Sequence, residues 1–255
     1  MQQQRQYKVL LIGETCTDEY LYGDVERISP EAPVPILNYH TTEKTLGMSA
    51  NVKANLESFG VFVNHITNKK PILKTRIVDR SSNQQLLRID DEGTIDPLRV
   101  SEVRAAFLHI QYDAVVISDY DKGYLTTNDL EVFCQNFPGP VFIDTKKTSL
   151  FSYPNVFFKI NQKEYGKLLK KPNKKNLIVT HGERGASYND CVYPSEKVTV
   201  FDVVGAGDTF LAALVYAYLC TGDISKSIPF ANKASAIAIQ HYGCYTLTKE
   251  EAQRL

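Results

Sequence analysis

The sequence lacks several features that would assign it to particular classes of protein. Basic and acidic residues balance at 29 each, so no overall charge favours nucleic acid or an anionic membrane. The five cysteines are widely spaced and form no C-x-x-C pair, which argues against a disulfide framework or a zinc site. The longest apolar run, from Phe210 to Cys220, is too short to span a bilayer, and no signal-peptide core follows the N-terminus. These absences predict a cytoplasmic protein with reduced thiols that binds neither nucleic acid nor membrane.

The sequence also lacks the residue spacing of two common kinds of catalytic site. The five histidines are scattered singly, so no Ser/His/Asp arrangement has usable spacing and no His/Cys cluster suits a metal. Residues 167–175 are basic but carry no interleaved aromatic residues, which indicates a solvated helix end and turn. A chain of 255 residues with 43% hydrophobic content can build one large α/β domain or two small ones.

The most informative stretch lies near the C-terminus, at Gly205-Ala206-Gly207-Asp208. A β-branched strand pattern over residues 198–204 precedes it, and an apolar helix pattern follows it. Small residues let the backbone turn sharply, and the start of a helix attracts anions. Asp208 beside such a turn is suited to take a proton from an alcohol that attacks a phosphoryl group. The alternative is a plain strand-to-helix turn in which Asp208 is the helix N-cap.

Buried strand patterns elsewhere end in polar residues, as expected for a parallel α/β sheet with ligands at the carboxyl ends of its strands. Asp18 comes shortly after the first strand pattern, and Asp119 and Lys122 follow a later one. Each of these residues has a plainer interpretation as a loop carboxylate or a salt-bridged turn. A different pattern, half polar and interrupted by three prolines, covers residues 22–40 and indicates an exposed edge sheet such as a lid. Alternation through residues 76–89 fits two antiparallel lid strands.

Several motifs together resemble a known family. The string from Asp202 to Asp208 resembles the C-terminal motif of the ribokinase-like (PfkB) sugar kinases. The runs at residues 27–35 (RISPEAPVP) and 83–90 (NQQLLRID) resemble, more specifically, bacterial D-glycero-β-D-manno-heptose 7-phosphate kinases. Those kinases form one half of a bifunctional ADP-heptose synthesis enzyme of lipopolysaccharide assembly. The resemblance covers nearly the whole chain in order.

The resemblance implies a role for each matching residue, with ATP and Mg²⁺ as cofactors. Asp208 would be the catalytic base, and the anion hole would consist of Gly205, Ala206 and Gly207. The substrate would be bound by Asp18, Gly47, Asn51, Arg88, Asp119 and Lys122. The nucleotide side would comprise Lys146, Asn161, Glu164, Thr180, Gly182, Gly185 and Asn232, with Glu164 holding Mg²⁺ through water. For Asn51 the alternative is a plain helix cap, and for Arg88 it is an exposed arginine paired with Asp90 or Asp91.

The implied fold is a three-layer α/β/α domain with a mainly parallel sheet and a small β lid. We expect a single kinase domain over residues 1–255, with a lid from about 20–46 and 73–91 that also forms a homodimer. Met48 stands where the family usually has glycine, which predicts a stiffer hinge or a smaller pocket. A helix and a strand of the family are absent before the second lid segment. No second nucleotide motif follows, so a separate nucleotidyltransferase would complete the pathway.

The expected reaction is transfer of the ATP γ-phosphoryl group to O1 of a heptose 7-phosphate. Another PfkB sugar or nucleoside kinase is the first alternative, because Met48 changes the pocket. A non-catalytic sugar- or nucleotide-binding descendant is the second, because a segment is missing.

Overall fold

A computed structural model describes residues 5–70 and 72–255 of the chain. Its strands are β1 Lys8–Gly13, β2 Thr15–Ile28, β3 Pro35–Met48, β4 Phe62–Ile66, β5 Ile72–Asp79, β6 Gln84–Asp91, β7 Ala114–Asp119, β8 Val141–Thr145, β9 Val156–Asn161, β10 Leu177–Thr180, β11 Ala186–Tyr188 and β12 Cys191–Tyr193. Its helices are α1 Ser49–Ser58, α2 Val100–Phe107, α3 Thr127–Asn136, α4 Gln162–Tyr165, α5 Ala206–Thr221, α6 Ile224–Ala238 and α7 Lys249–Arg254. Within these described residues, no helix has the length and apolar character needed to cross a membrane.

The main sheet has eight strands in the order β12-β11-β10-β9-β8-β7-β1-β4. The six strands from β10 to β4 run parallel, and β11 and β12 add an antiparallel hairpin at one edge. The carboxyl ends of the parallel strands therefore meet along one edge of the sheet, where open α/β folds bind their ligands.

Helices cover both faces of this sheet, and the alternation of side chains along β1 shows why. Val9 and Leu11 point into one core with α1, α5 and α6, whereas Leu10 and Ile12 point into a second core with α2 and α3. All four side chains are fully buried. A strand buried on both faces reads as a continuous apolar run, which is what the sequence has at this position.

A second, four-stranded sheet has the order β3-β2-β5-β6. Strands β2 and β3 form a long antiparallel pair, β2 and β5 run parallel, and β5 pairs antiparallel with β6. This sheet contains the two segments for which the sequence predicts a lid, and the pairing of β5 with β6 matches the predicted antiparallel strands. The strands begin earlier than expected, because β2 starts at Thr15 directly after β1.

The strand predicted over residues 198–204 is wrong. Val200, Phe201 and Val203 are 51%, 54% and 68% exposed, and the segment pairs with none of the strands that the structure describes. The amides of Phe201 and Asp202 instead donate to the carbonyl of Ile239, past the end of α6, at 2.8 and 3.3 Å. The β-branched pattern therefore reflects a surface segment held by a helix end.

Candidate active site

The Gly205 turn connects the surface segment to α5 and requires glycine. Gly205 is the N-cap of α5 with φ of 78°, in the left-handed region, and a Cβ there would lie 2.7 Å from Asn51 Nδ2. The amides of Ala206, Asp208 and Thr209 donate to carbonyls within the turn at 3.3, 3.0 and 3.0 Å. Among these first amides of the helix, Gly207 is the one to which the described residues offer no acceptor. The predicted anion hole thus has fewer available amides than the sequence pattern suggests.

Asp208 lies in the first turn of α5 with its carboxylate buried, 3% of the residue being exposed. The Tyr120 hydroxyl donates to one oxygen at 2.8 Å and Asn51 Nδ2 donates to the other at 3.3 Å. Burial raises the pKa of Asp208 to about 6, and the Tyr120 hydrogen bond, the Lys159 charge and the Asn51 hydrogen bond oppose this rise. The carboxylate is therefore a base that ionises near neutral pH.

Tyr120 and the side chain that positions it have no role among the sequence predictions. Glu14 directly follows β1 and is fully buried. It accepts hydrogen bonds from the amides of Tyr120 and Lys122 at 2.9 and 3.0 Å, which fixes the loop after β7. Two buried glutamate–amide bonds in this loop hold the Tyr120 ring against Asp208. A glutamate immediately after a buried strand is the sequence signal that could have identified it.

Asp119 and Lys122, predicted to bind substrate, have structural partners. Asp119 is 1% exposed and accepts from Thr145 Oγ1 at 2.6 Å and from the Asp121 amide at 3.0 Å. Lys122 Nζ pairs with Glu92 at 2.6 Å, just beyond the end of β6. These contacts match the salt-bridged loop that the sequence left as the alternative. A role for either residue in binding substrate stays a prediction.

Asp18 lies in β2 and is surrounded by donors. Arg76 Nη1 contacts one of its oxygens at 2.5 Å, and both residues of the pair are almost entirely buried. The thiols of Cys16 and Cys244 lie 3.5 and 3.6 Å from the other oxygen. Cys244 also lies against the turn, because its Cα would be 3.3 Å from a Cβ at Gly205. The structure thus brings Asp18 to the same crevice as Asn51 and Asp208.

The segment before α1 shows why glycine occurs at 47 and how methionine is accommodated at 48. A Cβ on Gly47 would lie 2.2 Å from Asp18 Oδ2, so this close approach requires glycine. Met48 is buried and has φ of 57° and ψ of −134°, a conformation that glycine adopts far more readily. The backbone therefore keeps a glycine-like shape despite the methionine. The effect on hinge stiffness or pocket size stays a prediction.

Arg88 lies on the exposed strand β6 and pairs with Asp90 through two hydrogen bonds of 2.6 Å. This contact matches the alternative of an exposed arginine paired with a neighbouring aspartate. A role in binding a substrate phosphate is untested and stays a prediction.

The ends of β8 and β9 supply a cluster of charged groups beside the Gly205 turn. Lys159 Nζ contacts Asp144 Oδ2 at 2.6 Å, and both residues are at least 95% buried. Lys146 pairs with Glu164, whose other oxygen accepts from the Asn161 amide at 2.8 Å in a capping box that opens α4. The sequence predicted Lys146, Asn161 and Glu164 here and missed the buried pair. A lone lysine in an otherwise apolar strand could have revealed it.

These residues fit the Mg²⁺ that the family implies. Asp144 Oδ1 is buried without a hydrogen-bond partner among residues 5–70 and 72–255, and Mg²⁺ prefers carboxylate oxygens as ligands. Glu164 belongs to the same cluster because it pairs with Lys146, and it could contact the ion through water. In the described part of the chain, no three side chains of the metal-binding types form a cluster.

On the predicted nucleotide side, Gly185 and Asn232 meet at the carbonyl of Tyr193. A Cβ on Gly185 would lie 2.1 Å from this oxygen, and Asn232 Nδ2 donates to it at 2.9 Å. Asn232 thus ties α6 to the segment after β12. Thr180 ends β10, and Gly182 follows it with φ of 63° in the connection that joins β10 to its antiparallel neighbour β11. Nucleotide binding by these four residues stays a prediction.

An apolar groove lies at the opposite end of the sheet. It is lined by α2 and α3 side chains such as Phe107 and Phe133, together with Asp113 and Gly139 near the amino ends of the strands. This groove holds none of the groups that surround Asp208.

Comparisons with known proteins match the part of the chain that contains the site. A model of the pfkB family carbohydrate kinases matches residues 157–251, which include Glu164 and Asp208. The bifunctional protein HldE of Nitratiruptor sp. is 31% identical over 298 residues, covering 96% of this chain and 64% of that protein. HldE of Campylobacter jejuni subsp. doylei is 30% identical, with 97% and 64% covered. The chain contains a PfkB carbohydrate kinase domain. It spans about 64% of the length of these curated relatives. The alignment with the Nitratiruptor protein covers 298 positions, which is more than the 255 residues of this chain, so the alignment contains gaps in this chain.

Solved structures confirm the predicted fold class of this PfkB domain. Phosphofructokinase-2 from Escherichia coli superposes with a TM-score of 0.71 at 15% identity, covering 98% of this chain and 97% of the other. Ribokinase from Arabidopsis thaliana, complexed with ribose and ATP, gives a TM-score of 0.68 at 14% identity, with 98% of each chain covered. The fold is therefore ribokinase-like. The family match confirms the predicted enzyme class, a carbohydrate kinase.

Proposed function

We propose that this PfkB domain transfers the γ-phosphoryl group of ATP to a sugar hydroxyl, most specifically O1 of D-glycero-D-manno-heptose 7-phosphate. The observation that carries the proposal is Asp208, a buried carboxylate at the start of α5 whose pKa is raised to about 6. Such a group is ionised at neutral pH yet basic enough to accept a proton from an attacking hydroxyl. The heptose specificity is supported by the likeness to HldE proteins at about 30% identity.

In this mechanism the sugar lies between Asp18 and Asn51, with its reacting hydroxyl at Asp208. Asp18 accepts hydrogen bonds from the sugar, and Arg76 orients it through the 2.5 Å contact. Asp208 takes the hydroxyl proton as the oxygen attacks the phosphoryl group, while Tyr120 and Asn51 hold the carboxylate in place. Mg²⁺ supplies charge neutralisation on the phosphates when it is bound near Asp144 and Glu164.

The remaining roles are assigned by analogy with the family. The Gly205 turn binds developing negative charge, and the nucleotide lies along Thr180, Gly182, Gly185 and Asn232. The four-stranded sheet closes over the sugar and excludes water that would compete for the phosphoryl group. Its exposed face carries Tyr39, Leu46 and Ile89, each at least half exposed, which supports a homodimer through the lid. Arg88 would leave Asp90 to bind the 7-phosphate.

The cellular setting follows from the same proposal. All five cysteines are free thiols, which supports a cytoplasmic location. The HldE relatives are named bifunctional, which supports a second activity beside the kinase. By the family resemblance this activity is a nucleotidyltransferase step that follows the kinase step, on a separate protein or a further domain.

A different acceptor, another sugar or a nucleoside, is the second candidate. It is favoured by the sugar side of the crevice, where two thiols surround Asp18 and a methionine occupies a glycine-like conformation. These groups set the shape of the pocket independently of the phosphoryl chemistry at Asp208.

Release of ADP from Mg-ATP, measured with a panel of sugars, sugar phosphates and nucleosides, tests both candidates. We expect heptose 7-phosphate to give the highest kcat/KM, and Asp208→Asn to lower kcat at least about a hundredfold. Arg88→Gln should raise KM for phosphorylated sugars and leave KM for unphosphorylated ones unchanged. A folded protein that releases no ADP with any acceptor would exclude the kinase reaction and leave a binding protein. Preference for fructose or a nucleoside would exclude only the heptose assignment.

A further inference from the structure

The Lys159 side chain occupies an unusual position in β9. The residue is 4% exposed, and its Nζ would lie 2.9 Å from a Cβ placed on Gly207. The absence of a side chain at Gly207 is therefore what lets the ammonium group approach the first turn of α5. A buried cation at this place needs a physical reason, because burying charge is costly.

The start of α5 is an unfavourable position for an ammonium group that has no anion beside it. The N-terminus of a helix carries a partial positive charge, and α5 has 16 residues, so an ammonium group beside it is repelled. Asp144 compensates part of this charge, and Asp208 lies close enough for Lys159 to lower its pKa. Lys146 adds a second cation to the same cluster through its pair with Glu164. An anion that contacts both Lys159 and the first amides of the helix would satisfy both positive groups.

The hydrogen-bonding groups of the cluster are also incomplete. Among the described residues, the ammonium of Lys159 donates one hydrogen bond, to Asp144 Oδ2, although it has three hydrogens. Asp144 Oδ1 is buried and receives no hydrogen bond from any described residue. Of the first amides of α5, the Gly207 amide has no acceptor within the described chain. Donors at Lys159 and Gly207 together with an acceptor at Asp144 suit a phosphoryl oxygen and a cation bound side by side.

We propose that Lys159 is a catalytic residue that binds the transferred phosphoryl group, completing an anion site whose other donor is the Gly207 amide. This inference rests on the proposed phosphoryl transfer and adds a charged residue to it. Of the three turn residues, Ala206 has an amide that is already paired, whereas the Gly205 and Gly207 amides have no acceptor among the described residues. Lys159 adds a charged donor beside them, and its side chain can move without a change in the backbone. It stabilises the negative charge of the phosphoryl oxygens in the transition state.

A purely structural role makes the opposite prediction for one variant. If Lys159 only ties β9 to β8, then Asp144→Asn and Lys159→Met both break the same pair and should have effects of the same sign. If Lys159 binds an anion, removing the carboxylate frees its ammonium and strengthens anion binding, whereas removing the ammonium weakens it.

Titration calorimetry with inorganic phosphate, in EDTA and low salt, separates these cases. We expect Lys159→Met to weaken phosphate binding at least tenfold and Asp144→Asn to strengthen it several-fold. Lys159→Arg should retain part of the affinity. Lys174→Met removes a lysine of an exposed pair with Asp190 and serves as the control, with unchanged affinity. The double variant Asp144→Asn/Lys159→Met leaves no unpaired buried charge, so it tests anion binding if the single Lys159 variant fails to fold.

Turnover with the best acceptor from the panel provides the second readout. Lys159→Met should lower kcat about a hundredfold or more with little change in KM for the sugar, because the lost contact is with the transferred group. Wild-type kcat and wild-type phosphate affinity in this variant would overturn the inference while the kinase reaction stands. Phosphate binding that depends on Lys159, in a protein that turns over no acceptor, would instead uphold the anion site and exclude the proposed function.

Discussion

Replacement of Asp208 by asparagine should make the protein more stable while it removes the activity. The carboxylate is 3% exposed, and burial raises its pKa from the ordinary 3.8 to about 6. At pH values well below 3.8 the carboxyl group is neutral in both the folded and the unfolded state, so its ionisation does not change the free energy of unfolding. As the pH rises through about 6, the unfolded chain already holds the charged form and the folded state loses stability.

The size of this loss follows from the two pKa values. A rise from 3.8 to about 6 corresponds to about 3 kcal/mol of unfolding free energy at pH 8. The side-chain oxygen of an asparagine can still accept the Tyr120 hydrogen bond. Its NH₂ group, however, would face the NH₂ group of Asn51, and this unfavourable contact reduces the gain in unfolding free energy by about 1 kcal/mol. We therefore expect Asp208→Asn to be about 2 kcal/mol more stable than wild type at pH 8. At pH 4.5 the gain should be about 2 kcal/mol smaller, because Asp208 is then protonated in the folded protein.

Urea unfolding followed by circular dichroism at pH 4.5 and pH 8 measures both values. The control is Asp96→Asn, which removes an exposed carboxylate 3.7 Å from Lys70 and should give no comparable gain. A stability gain of equal size at both pH values would refute the assigned cause, because burial of a charge must depend on its ionisation. Lower stability than wild type at pH 8 would refute the prediction itself.

Three further changes test the surroundings of this carboxylate. Tyr120→Phe removes a hydrogen bond that lowers the pKa of Asp208, so the midpoint of the rise of kcat with pH should move up by roughly one pH unit. Met48→Gly should be about 1 kcal/mol more stable than Met48→Ala in urea unfolding, the reverse of the usual order, because φ is 57°. Arg76→Gln leaves Asp18 buried without its cation, so it should lose about 3 kcal/mol of unfolding free energy and raise KM for the sugar. A wild-type pH profile, the usual Ala-over-Gly order or unchanged KM would each contradict its prediction.

The sequence predicted the fold well because the parallel strands carry strong local signals. Strands buried on both faces are continuous apolar runs. The first strand, β1, ends shortly before Asp18, and β7 ends at Asp119, in agreement with the two strand patterns placed before these residues. The prediction failed at residues 198–204, where a similar β-branched pattern forms no strand. An apolar segment becomes a strand only where the fold places the edge of another strand beside it. Phe201 and Asp202 lie beside the end of α6 and not beside a strand, so their amides bond to the carbonyl of Ile239.

The candidate site was predictable only in part, for a related reason. Asp18, Asn51 and Asp208 were proposed from motif positions, and the structure brings them to one crevice. The side chains that orient them are not marked by motifs: Glu14 acts through backbone amides, and Arg76 reaches Asp18 across the second sheet. Such partnerships arise from pairing of strands distant in sequence, so no local pattern records them.

The proton affinity of Asp208 results from opposing contributions by groups on several elements. Burial favours the neutral acid, and Asp144 on β8 adds to this effect. The Tyr120 hydroxyl after β7, Lys159 on β9 and Asn51 on α1 favour the carboxylate. Burial without these donors would favour the protonated form, which cannot accept a proton, whereas full solvation would make the carboxylate too weak a base for an alcohol. The value of about 6 is therefore set by how the strands converge, and the Asp208 motif specifies a base only within this arrangement.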